Sequence, residues 1–75
     1  MKKFRFDLAL REGLEIAGMN QSELARQMSV SRQAVSLWMQ KRDARLSLIM
    51  RVCQKLQIPV DEFMEMGSAY TTNKQ

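Results

Sequence analysis

Residues 20–40 constrain the fold of this chain more than any other stretch. Asn20 is a good helix N-cap, and Glu23 three residues later completes a capping box, so a helix is predicted to begin there. The helical periodicity breaks at residues 29–30, and Ser31 then offers a second N-cap. The segment therefore predicts two short amphipathic helices joined by a tight turn.

The second of these helices has two chemically different faces. Its apolar face consists of Val35, Trp38 and Met39. If that face points inward, the opposite face carries a short polar row without acidic residues, formed by Arg32, Gln33, Ser36 and Gln40. Such a row suits the edges of bases in a DNA major groove. Leu37 borders the row, where it either contacts a thymine methyl group or packs inside.

An ordered set of short motifs carries a family resemblance. The set comprises Met-Asn-Gln-Ser-Glu-Leu-Ala at 19–25, Val-Ser-Arg at 30–32, Val-Ser at 35–36, Trp38, and the run from Leu56 to Phe63. At these spacings the chain resembles the helix-turn-helix proteins of the lambda-repressor/Cro (XRE) superfamily over roughly residues 6–66. The resemblance implies an all-α fold, a compact five-helix bundle with a central helix-turn-helix, and a double-stranded DNA partner.

One residue departs from the family pattern. Ser29 stands where the family usually has Gly, because the backbone there tends to take a positive φ. A residue with a side chain would cost about 1–2 kcal/mol in that conformation. Either Ser29 is strained or the turn is built differently.

The resemblance also implies roles for particular side chains. We expect base reading from Arg32, Gln33, Ser36 and Gln40, since Arg can pair bidentately with guanine and Gln with adenine. We expect phosphate contacts from the residues that begin the two helices and from the cationic loop after them, namely Asn20, Gln21, Ser31, Lys41, Arg42 and Arg45. The alternative for the loop is that it is simply solvated.

The distribution of charge supports a nucleic-acid partner. The chain has 75 residues and a net charge of +4. Residues 21–45 contain five cations against two acidic residues, whereas residues 46–75 are neutral overall. The excess positive charge therefore lies on the segment predicted to contact DNA.

Composition argues against several other classes of protein. The chain has no histidine, and its single cysteine, Cys53, leaves neither a disulfide nor a thiolate cluster for zinc. We therefore expect no metal, no cofactor and no enzymatic activity, with Cys53 as a core residue. The charged start is unlike a signal peptide and no apolar run reaches membrane-spanning length, so we expect a cytoplasmic protein.

The pattern divides the chain into a flexible basic N-terminus (1–5), a helix-turn-helix DNA-binding domain (6–67) and a flexible polar tail (68–75). The first helix is predicted at 6–17, ended by Gly18. A fourth helix is predicted at 44–57, capped by Asp43, with an apolar stripe of Leu46, Ile49, Met50, Cys53 and Leu56. A fifth follows Pro59 and is ended by Gly67.

Several apolar residues exceed what one small core needs, namely Leu48, Val52, Phe63, Met64 and Met66. They either cap the core or form a homodimer surface. Because one helix reads only a few base pairs, we predict a homodimer on a palindromic operator, acting as a small repressor by promoter occlusion. The alternative is an antitoxin or another protein-interaction module that also binds DNA.

Overall fold

The computed structural model describes residues 4–68, and this range contains five α-helices and no strand. The helices are α1 (Phe6–Ala17), α2 (Gln21–Met28), α3 (Arg32–Trp38), α4 (Leu46–Leu56) and α5 (Val60–Ser68). The predicted all-α, five-helix architecture is confirmed. The bounds of α1 agree with the predicted 6–17, and Gly18 ends the helix in the left-handed conformation at φ 66°.

Every helix contributes to one core. The most extensive packing joins α1 to α5, while α2 packs on α3 and α4 contacts α1, α2 and α5. The largest fully buried side chains are Phe6, Leu10, Leu24, Val35, Val52 and Phe63. Cys53 is also buried, so its prediction as a core residue is confirmed. Helices this short depend on such packing for their stability.

The start of α4 differs from the prediction. The helix begins at Leu46, its N-cap is Arg45 without a side-chain cap hydrogen bond, and Asp43 is exposed and does not cap it. The backbone N–H of Phe6 donates to the carbonyl oxygen of Arg42 at 2.9 Å. This bond holds the loop against the start of α1, and Arg45, the last residue before α4, has an extended backbone.

The face that α4 buries also differs from the predicted stripe. Leu46 and Met50 are 63% and 53% exposed, whereas Val52, expected to lie off the stripe, is fully buried. The buried side runs through Ile49, Val52, Cys53 and Leu56, which follow the spacing of one helical face. Apolar residues surround much of α4, so its tertiary contacts rather than its own pattern select the buried face.

The fifth helix does not end at Gly67 as predicted. It continues through Gly67 to Ser68, and Gly67 is buried. A Cβ at this position would lie 2.6 Å from the Phe4 ring and 2.7 Å from the carbonyl oxygen of Arg5. Gly67 is therefore needed for the close approach of the chain before α1, and not as a stop signal.

Phe4 and Arg5 pack with the domain, although the sequence predicts them to be part of the flexible basic N-terminus. The Phe4 and Phe63 rings lie 6.1 Å apart between centroids, and Arg5 is the N-cap of α1. Ser68, predicted to begin the flexible tail, is instead the last residue of α5. The remaining residues of the predicted N-terminus and tail, 1–3 and 69–75, lie outside the described range.

Candidate nucleic-acid interface

The start of α2 is built by reciprocal side-chain to backbone hydrogen bonds. The Glu23 backbone N–H donates to Asn20 Oδ1 at 2.8 Å, and the Asn20 N–H donates to Glu23 Oε1 at 3.0 Å. This is the predicted capping box. Asn20 is exposed, and its Oδ1 serves the cap, so only its amide NH₂ group can donate to a phosphate oxygen.

The sequence leaves two alternatives for the turn between α2 and α3, a strained Ser29 or a differently built turn. The structure shows the strained Ser29. Ser29 has φ 58° and ψ 43°, which is the left-handed region. Its N–H donates to the Arg26 carbonyl at 3.2 Å, and the Val30 N–H donates to the Ala25 carbonyl at 3.0 Å. The turn therefore keeps the geometry that favours glycine.

The third helix starts at the predicted second cap. The Ala34 N–H donates to Ser31 Oγ at 3.1 Å. Val35 is fully buried and Trp38 is half-buried against the core, so both hold α3 to the body of the domain. Their burial fixes which face of α3 points outward.

That outward face brings together three of the four predicted base-reading residues. Arg32 and Gln33 are exposed, Ser36 is half-buried, and these three side chains are called the polar row below. They line one shallow, open depression together with Ser31. The row holds hydrogen-bond donors and acceptors and one cation, which suits direct readout of base edges.

Gln40 is not part of this row. The helix ends at Trp38, so Gln40 lies beyond it in the closing turn, where its backbone N–H donates to the Leu37 carbonyl at 3.0 Å. The sequence had placed it on the same helical face. Its side chain is exposed, but the helix no longer fixes its direction.

One hydrogen bond joins the two helices across the motif. Ser36 Oγ donates to Gln21 Oε1 at 3.1 Å, although the two residues are 15 positions apart. The bond fixes the first residue of α2 against the middle of α3. It uses the hydroxyl proton of Ser36 and leaves the amide NH₂ of Gln21 as the group that can donate to phosphate.

The cationic loop after α3 has a hydrogen-bonded backbone and exposed side chains. The Lys41 N–H donates to the Trp38 carbonyl at 3.1 Å, and Phe6 donates to the Arg42 carbonyl. The side chains of Lys41, Arg42 and Arg45 are exposed. Within residues 4–68 the one ion pair joins Arg5 to Asp7, so these three exposed cations have no acidic partner within that range.

The predicted dimer surface needs correction. Val52 and Phe63 are fully buried, and Met66 is only 8% exposed, because all three fill the core of the chain itself. Leu48 and Met64 are half-buried against the same core. These side chains act as core and core-capping residues, so they do not form a separate apolar surface.

A different set of apolar residues is exposed near α4. Leu46, Met50 and Val60 are 63%, 53% and 37% exposed. Met50 and Val60 border a groove between α4 and the start of α5, which we call the apolar groove. Its lining is Ser47, Met50, Arg51, Cys53, Gln54, Gln57, Ile58, Pro59 and Val60. The sequence shows an excess of apolar residues but does not show which of them stay outside.

Other chemistry is not evident in the part of the chain that the structure covers. No group of three or more Cys, Asp or Glu side chains in this part could hold a metal ion. Burial raises the pKa of the Cys53 thiol, which disfavours the reactive thiolate. No helix in residues 4–68 is long and apolar enough to cross a membrane.

The fold and the polar row define a helix-turn-helix DNA-binding domain. The sequence model of the helix-turn-helix family matches residues 10–63, which is most of the chain. The chain therefore belongs to this family, and the predicted XRE-type, lambda-repressor-like relationship is confirmed. It is a DNA-binding transcription regulator of XRE type. Searches of curated proteins and of solved structures gave no significant match.

Proposed function

We propose that this regulator binds a palindromic operator as a homodimer and represses transcription by occluding a promoter. The observation that carries the proposal is the outward direction of the polar row, which follows from the burial of Val35 behind it. We expect the protein to act in the cytoplasm, where a bacterial or phage operator would be found.

In this proposal, the polar row specifies the sequence. Arg32 pairs with guanine O6 and N7, and Gln33 pairs with adenine N6 and N7. If Ser36 keeps its bond to Gln21, its hydroxyl oxygen can only accept, so it favours the amino group of adenine or cytosine. Each matched contact contributes about 1–3 kcal/mol of discrimination.

The phosphate contacts position the row and supply affinity that does not depend on sequence. Gln21 and Asn20 offer amide donors at the start of α2, and Ser31 lies at the edge of the polar row. The exposed cations of the loop, Lys41, Arg42 and Arg45, add charge-assisted contacts. Such contacts release counterions and make binding depend on salt.

The base-reading assignment is tested on an operator selected from random DNA. Gln33→Ala should lower affinity for the selected operator by about 5- to 150-fold. It should change affinity little for an operator in which the base pair read by Gln33 has been replaced. Gln27→Ala is the matched control, because Gln27 is exposed on α2 and lies in a different depression from the polar row. Equal affinity of the Gln33 variant and the parent for all operator variants would contradict the assignment.

The phosphate assignment has its own test. Arg42→Ala should weaken binding to all sequences alike and reduce the slope of log K against log salt by about 1. Arg11→Ala removes the same charge from α1, where Arg11 lies beside Glu12 and Glu15, and should leave the slope unchanged. Equal slopes for the two variants would show that Arg42 does not bind phosphate.

The proposal assigns the apolar groove to a second copy of the chain. Arg51 lines the groove, and the exposed acids Asp61 and Glu62 directly follow Val60 at its edge. In a two-fold interface the same surface of both subunits is in contact. Arg51 of each subunit can therefore face Asp61 and Glu62 of the other, which gives two equivalent sets of charge contacts. Apolar contact and charge complementarity thus favour self-association at this surface.

Sedimentation of Met50→Glu tests the groove. Met50 is exposed, so the variant should fold. It should be monomeric under conditions where the parent is a dimer, and its affinity for a half-site should equal its affinity for the full operator. Ile16→Glu is the control, because Ile16 is 61% exposed on α1 and lies outside the groove. A dimeric Met50→Glu variant would exclude this surface. A monomeric parent would exclude the homodimer and favour a different protein in the groove, as in the antitoxin alternative.

A further inference from the structure

We propose that Leu37 reads the 5-methyl group of one thymine in the operator and so determines specificity beside the polar row. The inference rests on the proposed function, because it requires that α3 enter the major groove. It adds an apolar contact to a site otherwise made of hydrogen-bonding and charged groups.

The position of Leu37 on α3 supports this role. The side chain is 61% exposed, whereas Val35, two residues earlier, is fully buried. Leu37 lies four residues after Gln33, so the two share a face of the helix. The Met39 N–H donates to the Val35 carbonyl and the Gln40 N–H donates to the Leu37 carbonyl, each at 3.0 Å, and these bonds close the helix beside Leu37.

Packing does not explain why this residue is apolar. Val35 and Trp38 already hold α3 to the core, and Leu37 is not among the residues packed against it. The other large exposed apolar side chains belong to α1, α4 and α5, so within the described part of α2 and α3 Leu37 stands alone. An isolated residue among polar neighbours does not make a docking patch.

The major groove offers one apolar group among the four bases, the C5-methyl of thymine. A leucine held beside glutamine and serine on a groove-facing helix therefore has a chemically matched partner there. Four residues of helix rise by about 6 Å, and base pairs are spaced by about 3.4 Å. The thymine should thus lie within about two base pairs of the pair that Gln33 reads.

Deoxyuridine substitution isolates this contact. Each thymine of the selected operator is replaced in turn by deoxyuridine, which removes the methyl group and keeps the hydrogen-bonding edge. Fluorescence anisotropy then gives Kd for the parent, Leu37→Ala and Ile16→Ala, the last being a control of equal exposure. Circular dichroism melting should show that both variants are folded, since both side chains are exposed.

The parent and Ile16→Ala should lose about fourfold in affinity at one thymine of each half-site, the effect of one buried methyl group. Leu37→Ala should show the same Kd with thymine and deoxyuridine there. Retention of the fourfold difference by Leu37→Ala, or its absence from the parent at every thymine, would overturn the inference and leave the proposed function intact. If no operator can be selected at all, the proposed function and this inference both fail.

Discussion

Two regions of this domain are held in shape by different kinds of interaction. The reading segment, residues 20–40, is set by hydrogen bonds between side chains and nearby backbone groups, at Asn20, Glu23 and Ser31. The supporting helices are α1, α4 and α5, and of these α1 and α4 begin without a side-chain cap hydrogen bond. They are held instead by burial, as at Phe6 and Phe63, whose ring centroids are 6.1 Å apart.

The comparison shows how a small domain can present a polar surface on a thin core. Local hydrogen bonds fix the conformation of the reading segment, so few of its side chains need to be buried and the others are available to a ligand. The supporting helices contribute the aromatic contacts and close approaches that stabilise the fold. Substitutions in the two regions should therefore act through different mechanisms and with different magnitudes.

The largest effect is expected where α5 lies closest to the residues that precede α1. Gly67→Ala should destabilise the domain by about 1–3 kcal/mol, because its Cβ would lie 2.7 Å from the Arg5 carbonyl, a backbone atom. Gly13→Ala is the control. Its Cβ would meet the end of the Leu56 side chain at 3.0 Å, and a gain in helix propensity of about 1 kcal/mol offsets that contact. Urea unfolding measures both, and equal stability of the two variants would contradict the packing argument.

The same contrast explains which parts of the fold could be predicted from sequence. The caps at Asn20 and Ser31 and the stop at Gly18 involve residues within a few positions of each other, so the sequence shows them directly. The prediction that Gly67 ends α5 is wrong, because a glycine required for close packing looks the same in sequence as one that ends a helix. The buried face of α4 is selected by its contacts with other helices, so the apolar stripe predicted from the sequence is rotated around the helix relative to the face that is buried.

The candidate site was predictable to the same extent. The outward direction of Arg32 and Gln33 follows from the burial of Val35, which helical periodicity already indicates. Periodicity places Gln40 on the helix although α3 ends at Trp38, because helix ends are poorly specified by periodicity. The bond between Ser36 and Gln21 joins residues 15 positions apart, and no local signal could reveal it.

A smaller effect is expected from loss of the cap in the reading segment. Asn20→Ala should destabilise the domain by about 1 kcal/mol, since the Glu23 N–H would lose its acceptor. Ser22→Ala, in the same turn and exposed, should change stability by less than about 0.5 kcal/mol. Thermal unfolding of the two variants gives the comparison. If Ser22→Ala were as destabilising as Asn20→Ala, the capping box would not be what stabilises this turn.

Backbone strain should be relieved in both regions by the same change. Ser29 and Gln57 both have left-handed backbones, at φ 58° and 60°, in the reading segment and after α4. Ser29→Gly and Gln57→Gly should each stabilise by about 0.5–1 kcal/mol, the relief of strain less the added entropy of glycine. Gly18→Ala, at φ 66° with no atom within 4 Å of its Cβ, should have the opposite sign. Urea unfolding decides, and a destabilised Ser29→Gly would mean that the Ser29 side chain has a stabilising role.

The smallest expected effect concerns the ion pair at the start of α1, and it depends on pH. Burial tends to raise the pKa of Asp7, but hydrogen bonds from Arg5 and from the Leu8 backbone outweigh it, so the pKa lies below its ordinary value. Arg5 Nη2 lies 2.7 Å from Asp7 Oδ2. Because the carboxylate is favoured in the folded state, its contribution to stability should be present above about pH 4 and be lost as the pH falls through the lowered pKa.

Unfolding experiments at a series of pH values test this contribution, which for a partly exposed pair should be at most about 1 kcal/mol. Asp7→Asn should reduce stability at neutral pH and flatten its decline in acid. Arg5→Gln should flatten the same part of the curve, because it removes the donor that lowers the pKa of Asp7. A decline in acid that is equally steep in both variants and in the parent would assign the acid sensitivity to other carboxylates, and the start of α1 would then depend on packing alone.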